Sequence, residues 1–383
     1  MKVGLVLGAG GTVGMAYHVG VLRALRDEAG LDPARADLII GTSAGSVIGA
    51  YLRSGLALEE MWEQTFGDGD AGRQAGVLAV PVLPGSPLAS AENGVSRDKL
   101  QIFAPAFHSP LDLIAHLLGS AFVLARSAVR VPLPSMPRFL RHAFPGGMFS
   151  LGEGRQRLEH DLPAAWPEQP LWLCAVDIVS GQRLVLGREG SPPATLSRAV
   201  MASCAIPGVY PPVSLGKKVL VDGGVHSSTN LDLAVAGGCD LIIGVAPMAF
   251  DTEDRNIFSP ANLFRRPPAV TLAHEVAMAR QNGATVLLLR PNRAEVEKHG
   301  FNLMRREGLD GIATRAYEAT ADKLESHRFR EALEAAGTTA RSIEPAEREV
   351  TPARVVGTAT GAVAGVGRAG PPEAEGLPSA SRR

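Results

Sequence analysis

Short apolar runs and longer mixed stretches alternate along most of the chain. Residues 2–7, 38–40, 171–176, 183–186, 218–221, 241–245 and 285–289 are brief runs rich in Val, Leu and Ile, which predicts buried strands. Between them, residues 15–28, 197–203, 231–236 and 269–282 carry helical patterns, and a small-residue helix is expected after residue 45. A longer helical region, 303–336, bears Lys323, Glu325, Arg328, Arg330 and Glu331 and is expected to lie outside the sheet with an apolar stripe against it. Strands alternating with helices predict one large α/β domain over residues 1–340, built on an open, mostly parallel sheet.

Two regions break the alternation. Residues 67–150 hold Pro81, Pro84, Pro87, Pro105, Pro110, Pro132, Pro134, Pro137 and Pro145, which interrupt regular elements. Within them 111–124 is strongly apolar, with Asp112 and His116 its ionisable residues, and Arg126, Arg130, Arg138 and Arg141 follow among Leu, Val, Met and Phe. This insertion reads either as a cap that receives acyl chains or touches a membrane surface, or as a helical segment packed on the core. From residue 341 to 383 the composition turns to Ala, Gly, Pro, Ser and Arg without periodicity, the signature of a disordered tail.

Composition narrows the class. The chain has 383 residues, 45% hydrophobic and 20% charged, enough for a large core, and its formal net charge of −1 offers no field for nucleic acid. Cys174, Cys204 and Cys239 stand far apart in apolar or small-residue stretches, with neither disulfide nor metal-ligand spacing. They are expected as core residues of a protein in a reducing compartment. The apolar run 3–7 is too short for a secretory signal, and no 18-residue uncharged apolar stretch occurs. A cytoplasmic address follows as the default.

Chemistry concentrates at three strand ends. The first strand runs into Gly8-Ala9-Gly10-Gly11-Thr12-Val13-Gly14, a glycine run ahead of a helix. A dinucleotide fingerprint starting at Gly8 would need glycine where Val13 stands, and no phosphate-loop lysine motif is present. The remaining use is an oxyanion hole, with N–H groups of Gly10, Gly11 and Thr12 aimed at a tetrahedral intermediate; such donors are each worth roughly 2.7–4 kcal/mol of barrier. The second strand ends in Gly41-Thr42-Ser43-Ala44-Gly45, a G-x-S-x-G elbow in the strand–turn–helix setting that presents a nucleophilic serine. Ser43 lies too early in the chain for an α/β-hydrolase. Its base is therefore sought downstream, at Asp222 before Gly223-Gly224, where a strand's end can face another.

These three blocks, with Ala202-Ser203-Cys204-Ala205-Ile206-Pro207-Gly208-Val209-Tyr210-Pro211-Pro212 ahead of the last, resemble the patatin-like phospholipases. The resemblance implies a three-layer α/β/α fold and a Ser–Asp dyad lipid acyl hydrolase of phospholipase A or lysophospholipase type, acting without calcium, metal or other cofactor. Carried over by position, Ser43 is the nucleophile and Asp222 the base. Gly10, Gly11 and Thr12 form the oxyanion hole, and Gly8, Gly14, Gly41, Gly45, Gly223 and Gly224 support the turns. The expected partner is a lipid or other acyl-ester substrate, with peripheral membrane contact through the insertion. Two departures bear on substrate preference: Val13 stands where many members carry Arg or Lys, and Asn230-Leu231-Asp232 where many have Asn-Pro. His226 and His18 are left out of the dyad. Acyl transfer on the same dyad, and a lipid-binding protein that has kept the fold without catalysis, are the rival readings.

Overall fold

The apolar runs become the strands of a single sheet. In the computed structural model, which describes residues 1–66, 147, 149–150, 152–250, 260–305, 307–326 and 329–331, these are Val3–Leu7 (β1), Leu38–Gly41 (β2), Leu171–Asp177 (β3), Gln182–Leu186 (β4), Val213–Leu215 (β5), Lys218–Asp222 (β6), Leu241–Val245 (β7) and Thr285–Leu289 (β8). All but a few residues of the expected 67–150 insertion, and all of the 341–383 tail, lie outside the described residues.

Alternate side chains of the strands point to opposite faces, and both faces are covered. Leu5, Leu7, Ile39, Leu173, Ile243 and Leu289 share one core with helices Gly11–Ala29 (α1), Ala44–Arg53 (α2), Leu58–Phe66 (α3), Gly152–Asp161 (α4) and Leu196–Ser203 (α5). Val6, Leu38, Ile40, Cys174, Ile242 and Val286 share the other with Asp232–Ala236 (α6) and Pro260–Gln281 (α7). Burying each large aliphatic side chain in these layers is worth about 1.5–3 kcal/mol. The result is the three-layer α/β/α architecture, completed by Arg293–His299 (α8) and Leu309–Leu324 (α9).

The strand order is β5-β6-β3-β2-β1-β7-β8, with β4 also paired to β3. The pairings β1–β2, β1–β7, β2–β3 and β7–β8 are parallel. Those of β3 with β4 and β6, and of β5 with β6, are antiparallel. One register positions the site. β2 pairs with β3 up to Gly41↔Leu173, and β6 pairs with β3 from Leu220↔Asp177 to Asp222↔Ala175. Since β4 occupies the other edge of β3 along 173–177, β2 and β6 follow one another on the same edge. They run in opposite directions, and their carboxyl ends face each other.

Several boundaries differ from expectation. α1 begins at Gly11 rather than near residue 15, so the glycine run is largely the helix's first turn, with Gly14 N–H on Gly10 O at 2.8 Å. Glycine disfavours helix by about 1 kcal/mol per residue, which hides this start in the sequence. α7 runs through Pro267 and Pro268 instead of starting after them; the turn before them is anchored by the buried Arg265 guanidinium, which donates to Pro247 O. The long 303–336 helix is in fact preceded by a turn, and α9 packs on α1 rather than directly on the sheet. Gly20 permits this close approach, since a methyl there would stand 2.1 Å from Ala313 O. α8 was not anticipated; Asn292 and Glu295 form its capping box.

Candidate active site

β2 ends at Gly41 and α2 begins at Ala44, so the chain reverses through Thr42 and Ser43. Ser43 takes φ 53° and ψ −118°. With Asn230 it is one of two non-glycine residues of positive φ among the described residues. Such a backbone costs about 1–3 kcal/mol and persists only when its surroundings enforce it. Thr42 N–H donates to Leu7 O at 3.0 Å, Ser46 Oγ to Ser43 O at 2.6 Å, and Ser43 N–H to Ser203 Oγ at 3.0 Å. At Gly45 a methyl group would stand 2.0 Å from Leu7 O, so α2 lies directly on the end of β1 and holds the elbow closed.

Asp222 closes β6 opposite this turn. Its Oδ1 accepts the Gly224 N–H at 2.7 Å, and the Ser43 side chain adjoins the carboxylate closely enough to favour its charged form. Both residues are 5% exposed. Burial pushes the Asp222 carboxyl up to about 6, against the lowering effect of the Ser43 side chain and the Gly224 N–H. The group is thus an anion at neutral pH, yet close to the range where it can both take and return a proton.

The glycine run lies beside both. Ala9 Cβ is 3.7 Å from where a Cβ on Gly224 would be, and Ala44 Cβ is 3.7 Å from the equivalent point on Gly14. Gly8 N–H is bound to Val245 O, Ala9 N–H to Ser228 O and Val13 N–H to Leu303 O at 3.1 Å. Between them Gly10, Gly11 and Thr12 open α1, where no intrahelical carbonyl reaches the N–H groups. Gly11 has φ 62° and would place a methyl 2.5 Å from Leu303 O. The Thr12 hydroxyl is taken up by Leu303 O and Arg305 O.

Several residues outside the three blocks hold the elbow and the glycine run in place. His18 is fully buried and donates from Nε2 to Gly8 O at 2.7 Å; burial lowers it to about 4, so it is a neutral buttress of the glycine run. Asn230 Nδ2 donates to Thr42 Oγ1 at 3.0 Å, next to Ser43, while its Oδ1 accepts from Arg183, which also forks onto Asp232. The Asn230-Leu231-Asp232 departure therefore supports the elbow. Glu275 on α7 accepts from Thr229 Oγ1 and Leu231 N–H and fixes the same stretch. Val13 is a core residue. Pro247, which packs against Gly10 and Gly14, accepts at its carbonyl a hydrogen bond from the buried Arg265 guanidinium. His226 is half-buried after the 3-10 turn Gly223–Val225. Cys174 and Cys239 are buried free thiols, but Cys204 is not a plain core residue, for its Sγ–H donates to Ser43 O at 3.4 Å.

A family model, described as patatin-like phospholipase, matches residues 5–235. Similar solved structures include VipD from Legionella pneumophila, at 12% identity and a TM-score of 0.37, covering 84% of this chain and 67% of that one. The heterodimeric complex ExoU–SpcU from the type III secretion system of Pseudomonas aeruginosa matches at 19% identity and a TM-score of 0.35, covering 87% of this chain and 52% of that one. The chain thus spans about half the length of ExoU. No helix among the described residues is long and apolar enough to cross a membrane.

Proposed function

The chain belongs to the patatin-like phospholipase family, and on that premise we propose that it hydrolyses carboxylic esters of lipids through an acyl-enzyme on Ser43, with Asp222 as the general base. The observation that carries this reading is the placement of the Ser43 side chain against a buried Asp222 carboxyl, which burial raises to about 6 while Ser43 lowers it. A serine hydroxyl is a weak nucleophile until a positioned base takes its proton. As Ser43 Oγ attacks the ester carbonyl, its proton passes to Asp222, and the oxyanion is held by N–H groups of Gly10, Gly11 and Thr12 at the start of α1. Asp222 returns the proton to the departing alcohol oxygen. A water then loses a proton to Asp222 as it attacks the acyl carbon, and Ser43 is regenerated with release of the acid.

The Gly224 N–H on Asp222 Oδ1 keeps one carboxylate oxygen occupied and leaves the other for the serine. We assign residues 1–340 to the catalytic domain and its action to lipid reached from the aqueous, cytoplasmic side. Incubation with a fluorophosphonate probe followed by peptide mapping tests the nucleophile. Labelling at Ser43 that is lost in Ser43→Ala is the expected result. Unlabelled, folded protein that still binds lipid vesicles would return the chain to the non-catalytic reading, and ester formation from added alcohol would make it a transferase.

A further inference from the structure

The segment before β5, Ala202 to Pro212, resembles a family block but has no part in the chemistry above. Three consecutive residues of it nevertheless touch both halves of the dyad. Ser203, the last residue of α5 and wholly buried, accepts the Ser43 N–H at its Oγ, 3.0 Å away. Cys204 donates its Sγ–H to Ser43 O at 3.4 Å and lies 3.5 Å from Ser46 Oγ. Ala205 O accepts the Asp222 N–H at 2.9 Å. From these contacts we infer that residues 203–205 are the spacer that sets the aim and separation of the dyad, and that Ser203 is the positioning residue within it.

The physical argument starts from the Ser43 peptide. β2 has ended at Gly41, so Ser43 N–H has no strand neighbour, and as the N-cap of α2 it has no helical acceptor. A buried N–H must find a partner. That hydrogen bond holds the peptide plane before the Ser43 Cα, and the Ser46 and Cys204 donors on Ser43 O hold the plane after it; together they fix φ and ψ, and with them the direction of the Cα–Cβ bond. Ser203 Oγ therefore holds one side of the strained backbone that carries the Ser43 side chain to Asp222. The spacer is stiff because it continues the hydrogen bonding of α5: Cys204 N–H reaches Val200 O and Met201 O, and Ala205 N–H reaches Ala202 O. Cys204 serves as a donor only; burial and the nearby Asp222 push its thiol up to about 12, so it stays protonated.

The inference rests on the dyad reading, and the test separates the two. Ser203→Ala leaves Ser43 N–H without its acceptor. Turnover of a soluble short-chain p-nitrophenyl ester is expected to fall about tenfold to a hundredfold in kcat, with KM within about twofold. Fluorophosphonate labelling of Ser43 slows by the same factor, while the pH midpoint near 6 stays, since Asp222 is untouched. The pair Ser203→Thr and Ser203→Val carries equal bulk and differs only in the hydroxyl, so the Thr variant is expected to be at least about tenfold the more active at matched melting temperature. Equal activity of Thr and Val variants, or a Ser203→Ala protein that melts lower but keeps its kcat, overturns the inference while leaving the dyad intact. Ser43→Ala or Asp222→Asn keeping full turnover overturns the dyad itself, and the spacer with it.

Discussion

Ser43 and Asp222 meet at the same edge of β3, yet their surroundings bear different kinds of strain. Around Ser43 the cost is steric. Its backbone is left-handed, Gly45 has no room for a methyl, and hydrogen bonds from Ser46 and Cys204 and to Ser203 hold the turn. Around Asp222 the backbone is ordinary, with φ −48° and ψ 133° at a strand end, and the cost is electrostatic: a carboxylate taken out of water with the Gly224 N–H and the Ser43 side chain as its partial compensation. A nucleophile needs an exact direction, which only packing supplies. A base needs a suitable proton affinity, which burial supplies. The two halves should therefore respond oppositely to substitution.

The largest effect is expected at Asp222, the proposed base. Asp222→Asn should lower kcat by about 10³–10⁴-fold, as when a group that sets the proton inventory of a triad is replaced. Its stability should move the other way. The folded chain holds Asp222 protonated up to about pH 6, whereas an unfolded aspartate ionises near about pH 4. Ionising the buried group therefore costs stability increasingly as pH rises through that window, and the full cost is present above it. Asp222→Asn should accordingly melt at or above the parent temperature at pH 7.5, with the advantage shrinking towards pH 5. A variant that melted well below the parent at pH 7.5 would refute the electrostatic account of this half.

At the elbow the sign reverses. Gly45→Ala drives a methyl into Leu7 O, and overpacking against backbone of this kind costs about 3 kcal/mol. Calorimetry should show a marked fall in melting temperature together with loss of fluorophosphonate labelling. A third measurement isolates the proton affinity. The logarithm of kcat/KM should rise with unit slope up to a midpoint near pH 6 and then level, since only ionised Asp222 accepts the serine proton. The smallest effect is expected at His226. Changing His226→Ala should leave kcat/KM within about threefold and the acid limb in place, in contrast to the removal of one member of a triad. Disappearance of that limb in the histidine variant would transfer the base from Asp222 to His226.

What could be read from the chain alone was whatever lies within one turn or strand. The runs around Ile40, Leu173 and Ile243 announced strands because burial on both faces demands continuous apolar residues. The elbow was legible at Ser43 because glycines at 41 and 45 answer a local steric need. The glycine run and Asp222-Gly223-Gly224 were legible for the same reason. What the sequence concealed depends on distant partners. That β6 runs against β3, and so brings Asp222 to the end of β2, follows from strand register and not from any residue in β6. That Gly11 begins a helix follows from Leu303 O, far along the chain, which takes Val13 N–H and fills the space a side chain would need. Asn230 and Ser203 read as loop and helix residues until Thr42 and Ser43 arrive as their hydrogen-bond partners. Local sterics are written in neighbouring residues; proton affinity, strand direction and the support of a strained turn exist only once the chain has closed on itself and shut out water.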